Sequence, residues 1–437
     1  MRSTTRLLAA TAIGVIAAST AHAATEIPVW HAYSPDIKLG RALERYAATF
    51  NAHQDDVEVV LTYKGTYDDT INATIAAVRA GKAPALAQIH VPGAPTVIYS
   101  DAVKPVGEIM AEAGHDVDWG TYIQPVIQMY AQGESQVGFP FAASTPLLWY
   151  NADAFAAAGV EGVPATWQEL RAAAEKLKAD DWQCPVTSSW QGWVLVKNYS
   201  FVENQPFANA GNGMDGVATE LLLDEGDLAD HLARIKGWID DGLFEYQGRQ
   251  WTGAHEAFYA ERCAVMLESS AGYGGISENA DFTFGAGMLP VNADDTPPRN
   301  SFIGGNAFFA MAGQSDEVYA GVAAFLSFLA EPENQFDWHR TSGYVPITQG
   351  AYELARKEGY YEAFPHQELA IEQLTRGTPT TWTRGLRLGY LPQIDAVINE
   401  ELENIWSGDK TAEDAVAAMV RRGTPLLERF AKTVDGQ

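Results

Sequence analysis

Short apolar runs alternate along this chain with longer stretches whose apolar positions recur every three or four residues. Glu26 to Trp30 and Val57 to Tyr63 read as strands, and Ala85 to Val91 as a third that breaks at Pro92-Gly93. Between them, Leu43, Tyr46 and Phe50 share one face of a helix predicted over 36–51. Ile71, Ile75 and Val78 mark the next helix, after the turn Lys64-Gly65-Thr66-Tyr67. Such β-α-β alternation predicts an α/β fold, its sheets mostly parallel and flanked by helices. The pattern then restarts. Thr166-Trp167-Gln168-Glu169 is a capping box that opens a helix through Leu170 and Leu177. Leu228, Leu232, Ile235 and Ile239 mark one further helix face, and Val318, Val322, Phe325 and Leu329 another. Strands are expected over 282–289 and 302–312.

The stretch from Phe139 to Asn151 separates the two runs. Pro140 and Pro146 keep it extended and cannot donate within a central ladder, which predicts a crossing from one sheet to another with Ser144 and Thr145 at the junction. A return crossing is expected near Met288 to Pro290, and a third after Pro332. The predicted organisation is therefore two lobes joined by a multi-crossing hinge: 24–141 with 288–331, and 142–287 with 332–437. Ligand clefts favour such junctions, and two hinged α/β lobes form the clamp of an exported binding protein.

The N-terminus supports export. Arg2 and Arg6 precede an apolar segment from Leu7 to Ala18, and Ala21-His22-Ala23 supplies a small-x-small cleavage pattern. Residues 1–23 thus read as a secretory signal, too short for a membrane span. The net charge of -27 becomes more negative still once those two arginines are removed. A surface of that sign repels nucleic acid and anionic lipid, so any anionic ligand must meet locally focused donors. Cys184 and Cys263 are the two cysteines. An oxidising compartment permits one disulfide between them, two buried thiols being the alternative, and two cysteines alone do not make a metal site.

Catalytic signatures are absent: there is no His-Glu-x-x-His, no Gly-x-Ser-x-Gly and no phosphate loop ending in Gly-Lys-Ser/Thr. Asn292-Ala293-Asp294-Asp295 lacks a calcium-loop pattern and reads as an acidic surface loop. His31 and His90 each follow a strand, where core packing accounts for them more simply than the cleft does. More informative are aromatic residues among small polar ones. Ser188-Ser189-Trp190-Gln191-Gly192-Trp193 places two indoles around one turn, where they can cover a polyol or hold a quaternary ammonium. The backbone N–H groups of Ser269-Ser270-Ala271-Gly272 are candidates for holding an anion if a helix opens there. Ile303-Gly304-Gly305-Asn306 permits close backbone approach, and Thr341-Ser342-Gly343-Tyr344-Val345-Pro346 presents a phenol on a tight turn.

At these residues the chain resembles the periplasmic sn-glycerol-3-phosphate-binding proteins of ABC importers. The similarity covers essentially the whole mature chain. It includes Ile27-Pro28-Val29-Trp30-His31, Tyr63-Lys64-Gly65-Thr66-Tyr67, Ser144-Thr145-Pro146, Ser189-Trp190-Gln191-Gly192-Trp193, Ile303-Gly304-Gly305, Gly343-Tyr344-Val345-Pro346-Ile347-Thr348 and Gly385-Leu386-Arg387-Leu388-Gly389. The two cysteines fall where the family has a pair. The resemblance implies phosphate-end contacts at Tyr67, Ser144, Ser269, Gly305 and Tyr344, and indoles around the glycerol end at Trp190 and Trp193. Two positions depart from it. Val91, beside His90, stands where the family has a Glu for glycerol hydroxyls, and Asp395 stands where it has an Arg for the phosphate. An Asp facing a phosphate dianion is repulsive, so a glycerophosphodiester such as glycerophosphocholine becomes the favoured ligand; alternatively Arg384 supplies the missing charge and Asp395 points to solvent.

The resemblance implies a periplasmic receptor of maltose-binding-like fold that closes around a small glycerol-phosphate ligand and delivers it to an inner-membrane ABC permease. It is expected to act as a monomer, without cofactor, metal, nucleic acid or catalysis. A receptor for another polyol or sugar-like solute is the alternative, and an exported phosphodiester hydrolase the more distant one.

Overall fold

The computed structural model describes residues 24–293 and 297–436. The predicted signal, and Asp294 and Asp295 of the acidic loop, lie outside the described residues. Twelve strands are described: β1 (Thr25–His31), β2 (Val57–Tyr63), β3 (Leu86–His90), β4 (Val103–Lys104), β5 (Ala131–Gln132), β6 (Ser135–Gln136), β7 (Gly138–Ser144), β8 (Pro146–Asn151), β9 (Cys184–Ser188), β10 (Cys263–Ser269), β11 (Phe284–Met288) and β12 (Gly304–Met311). They build two main sheets. The first has the order β2-β1-β3-β12-β4, with β7 also on β12; the second has the order β11-β8-β10-β9.

The predicted periodicities appear as built. Leu43, Tyr46 and Phe50 are buried on the helix Lys38–His53, and Thr166 and Glu169 form the capping box of the helix Trp167–Ala179. A second capping box, Thr66 with Asp69, opens the helix Tyr67–Arg79 at the end of the turn after β2. The chain leaves the first sheet at Ser144 and enters the second at Pro146, so Thr145 alone lies between β7 and β8. It returns between Met288 and Gly304.

Both sheets are mixed, for a topological reason. β1 lies parallel to β2 and β3, and β9 parallel to β10, wherever an ordinary β-α-β crossover joins them or their order allows it. The strands that pass between sheets run the other way: β12 is antiparallel to β3 and β7, and β8 to β10 and β11. A strand returning from the far lobe enters from the hinge end and must oppose its neighbours. Beyond β12, the helix Pro332–Ser342 still leans on the first lobe, where Tyr46 Oη donates to Asp337 Oδ2 at 2.7 Å. Thr348 bridges Tyr122, so the third passage, expected after Pro332, lies beyond Thr348.

The hinge is held by one amide. Gln373 Nε2 donates to Thr145 Oγ1 and to Pro146 O, both at 2.7 Å, while its Oε1 accepts from Leu289 N at 2.7 Å. Thr145 Oγ1 also lies 2.5 Å from Ser301 Oγ. A buried amide satisfied on both ends fixes the register of separate hinge strands without filling the cleft beside them. Cys184 and Cys263 are joined in a disulfide between register partners of β9 and β10, which resolves the alternative of two free thiols. Among the described residues no helix is long and apolar enough to cross a membrane.

Candidate functional site

Three phenols, those of Tyr33, Tyr67 and Tyr344, come together beside β12. Tyr67 is the first residue of its helix, and its Oη lies 3.3 Å from Tyr344 Oη. Asn306, on β12, donates from Nδ2 to Tyr33 Oη at 2.7 Å and to Tyr67 Oη at 3.2 Å. The Asn306 carbonyl is in turn held by Gln88 Nε2 at 3.0 Å, and Gln88 Oε1 accepts from Ala32 N at 2.8 Å. Burial pushes the phenols of Tyr33 and Tyr344 well above their usual range, so both remain protonated donors. Tyr33, Gln88 and Asn306 were missed by the sequence reading. Asn306 stood within the noted glycine run, whereas a lone Tyr two residues past β1 carried no local signal.

The floor is built from β7 and β12. Ser144 pairs with Gly304. A Cβ on Gly304 would meet the Trp193 ring at 2.8 Å and Ser144 Oγ at 2.9 Å, so the indole closes directly onto backbone. Gly305 has φ +102°, and a Cβ there would meet Ala142 O at 2.1 Å. Gly305→Ala is therefore expected to destabilise the protein by about 2 kcal/mol or more through strain and overlap. Chemical denaturation checks this, and an unchanged midpoint would show that β7 gives way freely.

The indoles differ in setting. Trp190 is 40% exposed and has φ +46°, while Trp193 is partly buried and its Nε1 is buried without a partner. From Gly192 to Asn198 the chain forms a π-helical stretch, a form that often marks functional sites.

Lys197 was also missed by the sequence reading. Its side chain is 2% exposed, and Nζ sits 2.6 Å from Asp395 Oδ1 and 2.7 Å from Oδ2. Asp395 therefore neither stands alone nor points freely to solvent. Burial raises its pKa, and the Lys197 charge opposes that rise. Across the cleft, the His90 ring stacks on Tyr67 at 5.3 Å, and its Nε2 lies 3.7 Å from Asp68 Oδ1. Burial, then the Lys197 charge, hold the His90 pKa down to about 3, so the ring is neutral. Val91 is buried at the start of the turn Val91–Gly93 and offers only apolar surface. Arg384 is engaged elsewhere, in an ion pair with Asp215.

The anion-loop expectation needs correction here. Ser269 N donates to Glu268 Oε1 at 2.6 Å, Ser270 N to Thr145 O at 2.8 Å, and Ala271 N to Ser269 Oγ at 3.1 Å. A charged neighbour, a hinge carbonyl and the loop's own side chain have taken these donors. What remains is the Ser270 hydroxyl, buried without a partner. The arrangement offers neutral donors and flat rings around a compensated charge pair. A groove of about 540 Å³ between β11 and residues 363–369 contains none of these residues.

Comparison with known proteins shows the family of the chain. The sequence profile of the bacterial extracellular solute-binding protein family matches residues 45–365. The chain is 41% identical over 429 residues, 97% of both chains, to the sn-glycerol-3-phosphate-binding periplasmic protein UgpB of Escherichia coli strain K12. The protein of the same name from Shigella flexneri is 40% identical over the same span. Among solved structures, UgpB from Mycobacterium tuberculosis in complex with glycerophosphocholine has a TM-score of 0.79 at 20% identity, covering 93% of this chain and 99% of that one. The GacH receptor of Streptomyces glaucescens, solved unliganded and with acarbose, has a TM-score of 0.78 at 16% identity, over 93% and 99%.

Proposed function

We propose, from the premise that this chain belongs to the bacterial extracellular solute-binding protein family, that it is a periplasmic receptor for glycerol-phosphate compounds. It delivers them to an inner-membrane ABC importer, and it breaks no bond. The observation that carries this reading is the placing of Tyr67, Tyr344, Ser144 and Trp193 around Gly304–Asn306 of β12, beside the passage from β7 to β8. Protonated phenols and hydroxyls donate to phosphate oxygens without the cost of burying a counter-charge, and an indole covers the C–H face of a glycerol. Ligand binding favours the closed arrangement because both lobes contribute contacts, and closure changes the surface shown to the permease.

Calorimetric titration with sn-glycerol 3-phosphate, glycerophosphocholine, glycerophosphoethanolamine and maltose tests the reading. Heat is expected from one or more of the glycerol-phosphate compounds and none from maltose. Binding of maltose alone would assign the cleft to a sugar-like solute, a second reading favoured by the exposed Trp190 ring. Released glycerol or choline during the titration would make the protein a hydrolase.

A further inference from the structure

We propose that Gln88 and Asn306 are positioning residues for phosphate binding. They fix the direction of a hydrogen-bond chain so that the phenols of Tyr33, Tyr67 and Tyr344 turn a spare hydrogen, and not lone pairs, toward the ligand. The inference rests on the glycerol-phosphate reading and deepens it. Gln88 on β3 and Asn306 on β12 are diagonal neighbours on one face of an antiparallel pair, and both are fully buried. Their direction starts at a group that cannot be turned round. Ala32 N is a backbone donor 2.8 Å from the Gln88 amide, so the Gln88 oxygen must face it. The Gln88 nitrogen then faces the Asn306 amide at 3.0 Å and requires the oxygen of that amide. The Asn306 nitrogen is left to face Tyr33 Oη at 2.7 Å and Tyr67 Oη at 3.2 Å, and it donates to both. One peptide N–H thereby sets the polarity of the whole chain.

The phenols then hold more hydrogens than they use. Tyr67 and Tyr344 are joined through their hydroxyls at 3.3 Å, and Tyr33 and Tyr344 share a second hydrogen bond. Three phenols carry three hydrogens, and the two links consume two of them. One is left over. Tyr33 is buried and ringed by Tyr67, Trp338 and Tyr344, so the spare hydrogen leaves through Tyr67 or Tyr344. With Asn306 reversed, its carbonyl would accept from Tyr33 and Tyr67, and the Tyr344 hydrogen alone would remain for both links. The cluster would then show lone pairs to the cleft. The bond between the two amides is satisfied in either direction, and it is the Ala32 N–H that chooses. The consequence is for binding. The oxygens of a phosphodiester or a dianionic monoester carry no hydrogen and only accept, whereas a neutral hydroxyl donates or accepts. A cluster with a spare hydrogen therefore favours phosphate over an uncharged polyol, without burying a counter-charge.

Gln88→Glu and Gln88→Met are compared with the wild-type protein by titration with sn-glycerol 3-phosphate and glycerophosphocholine, from about pH 6 to about pH 9. A carboxyl introduced at this buried site titrates above its ordinary value. Protonated, it donates to Asn306 and keeps the natural direction; ionised, it only accepts, and Asn306 turns over. Relative to wild type at the same pH, Gln88→Glu is expected to bind within about threefold at the acid end and roughly tenfold or more weakly at the alkaline end. His31, next to Ala32, and His90, the register partner of Asn306, are held down to about 4 and about 3 and stay neutral in this range. Gln88→Met removes the amide at similar volume without adding a charge, and is expected to stay within about threefold of wild type throughout. Equal losses in the two folded variants, or a Gln88→Glu loss that does not change with pH, overturn the proposal, since packing alone explains them. Neutron diffraction from deuterated wild-type crystals reads the hydrogens directly, whether or not Gln88→Glu folds. Deuterium on Asn306 pointing at both phenol oxygens is expected, and a phenol deuterium pointing at Asn306 overturns the chain. If the wild-type protein binds neither compound, the receptor reading itself falls, whatever the hydrogen directions.

Discussion

Acidifying the ligand-free protein from neutral pH to about pH 4 is expected to lower its unfolding midpoint steeply, and buried histidines carry the effect. Burial holds the imidazoles of His31, His339 and His366 down to about 4, and that of His90 to about 3. His231, stacked on Tyr199 and near the Arg234 charge, lies well below its usual value. In the unfolded chain each ring takes up a proton near pH 6.5. In the folded protein His31, His339 and His366 stay neutral until about pH 4 and His90 until about pH 3, while His231 is held in the same direction. Between those values the unfolded state binds more protons, so stability is full above about pH 6.5 and is lost as the pH falls. His31, His90, His339 and His366 each withdraw on the order of 1–3 kcal/mol across that window and together rival the whole stability of a domain, and His231 acts in the same direction. Asp395 opposes the trend, since its raised pKa lets the folded state take up a proton early. Circular dichroism melts at a series of pH values check this. A midpoint that stays flat down to about pH 5 would mean that the rings protonate in place.

The second large effect concerns the disulfide. Replacing Cys184 and Cys263 together by Ala is expected to cost about 4 kcal/mol, because the bond closes a loop with a sequence separation of 79 in the unfolded chain. Ligand affinity should stay within about twofold. Cys263 begins β10 and Ser269 ends it, so six residues of strand, on the order of 20 Å, separate the bond from the cleft. Urea unfolding of oxidised and reduced protein, with titration of the folded double variant, measures both halves. Equal midpoints with and without reductant would show that the ladder between β9 and β10 holds the loop unaided. A large loss of affinity in a folded variant would tie the far end of β10 to the site.

Much of this protein is settled by neighbours a few residues apart. The buried face of Lys38–His53 repeats every three to four residues, the Thr166–Glu169 capping box spans three, and two prolines fix the extended passage from Phe139 to Asn151. Helix, cap and crossing are decided at that range because backbone preference and side-chain periodicity act between i and i+4. Tyr67, Ser144, Trp193, Gly305 and Tyr344 entered as site candidates through the family resemblance, and each lies at or within two residues of the end of an element that such local rules define. What the tertiary structure alone decided is how charges and donors pair. Nothing local joins Lys197 to Asp395, diverts Arg384 to Asp215, ties Asn306 to Tyr33, or gives Ser270 N to Thr145 O. The directions of β7, β8 and β12 likewise follow from passages between lobes. These contacts span from dozens to hundreds of residues. Their partners are chosen when burial forces every polar group to find one, and that choice depends on which distant elements the hinge brings together.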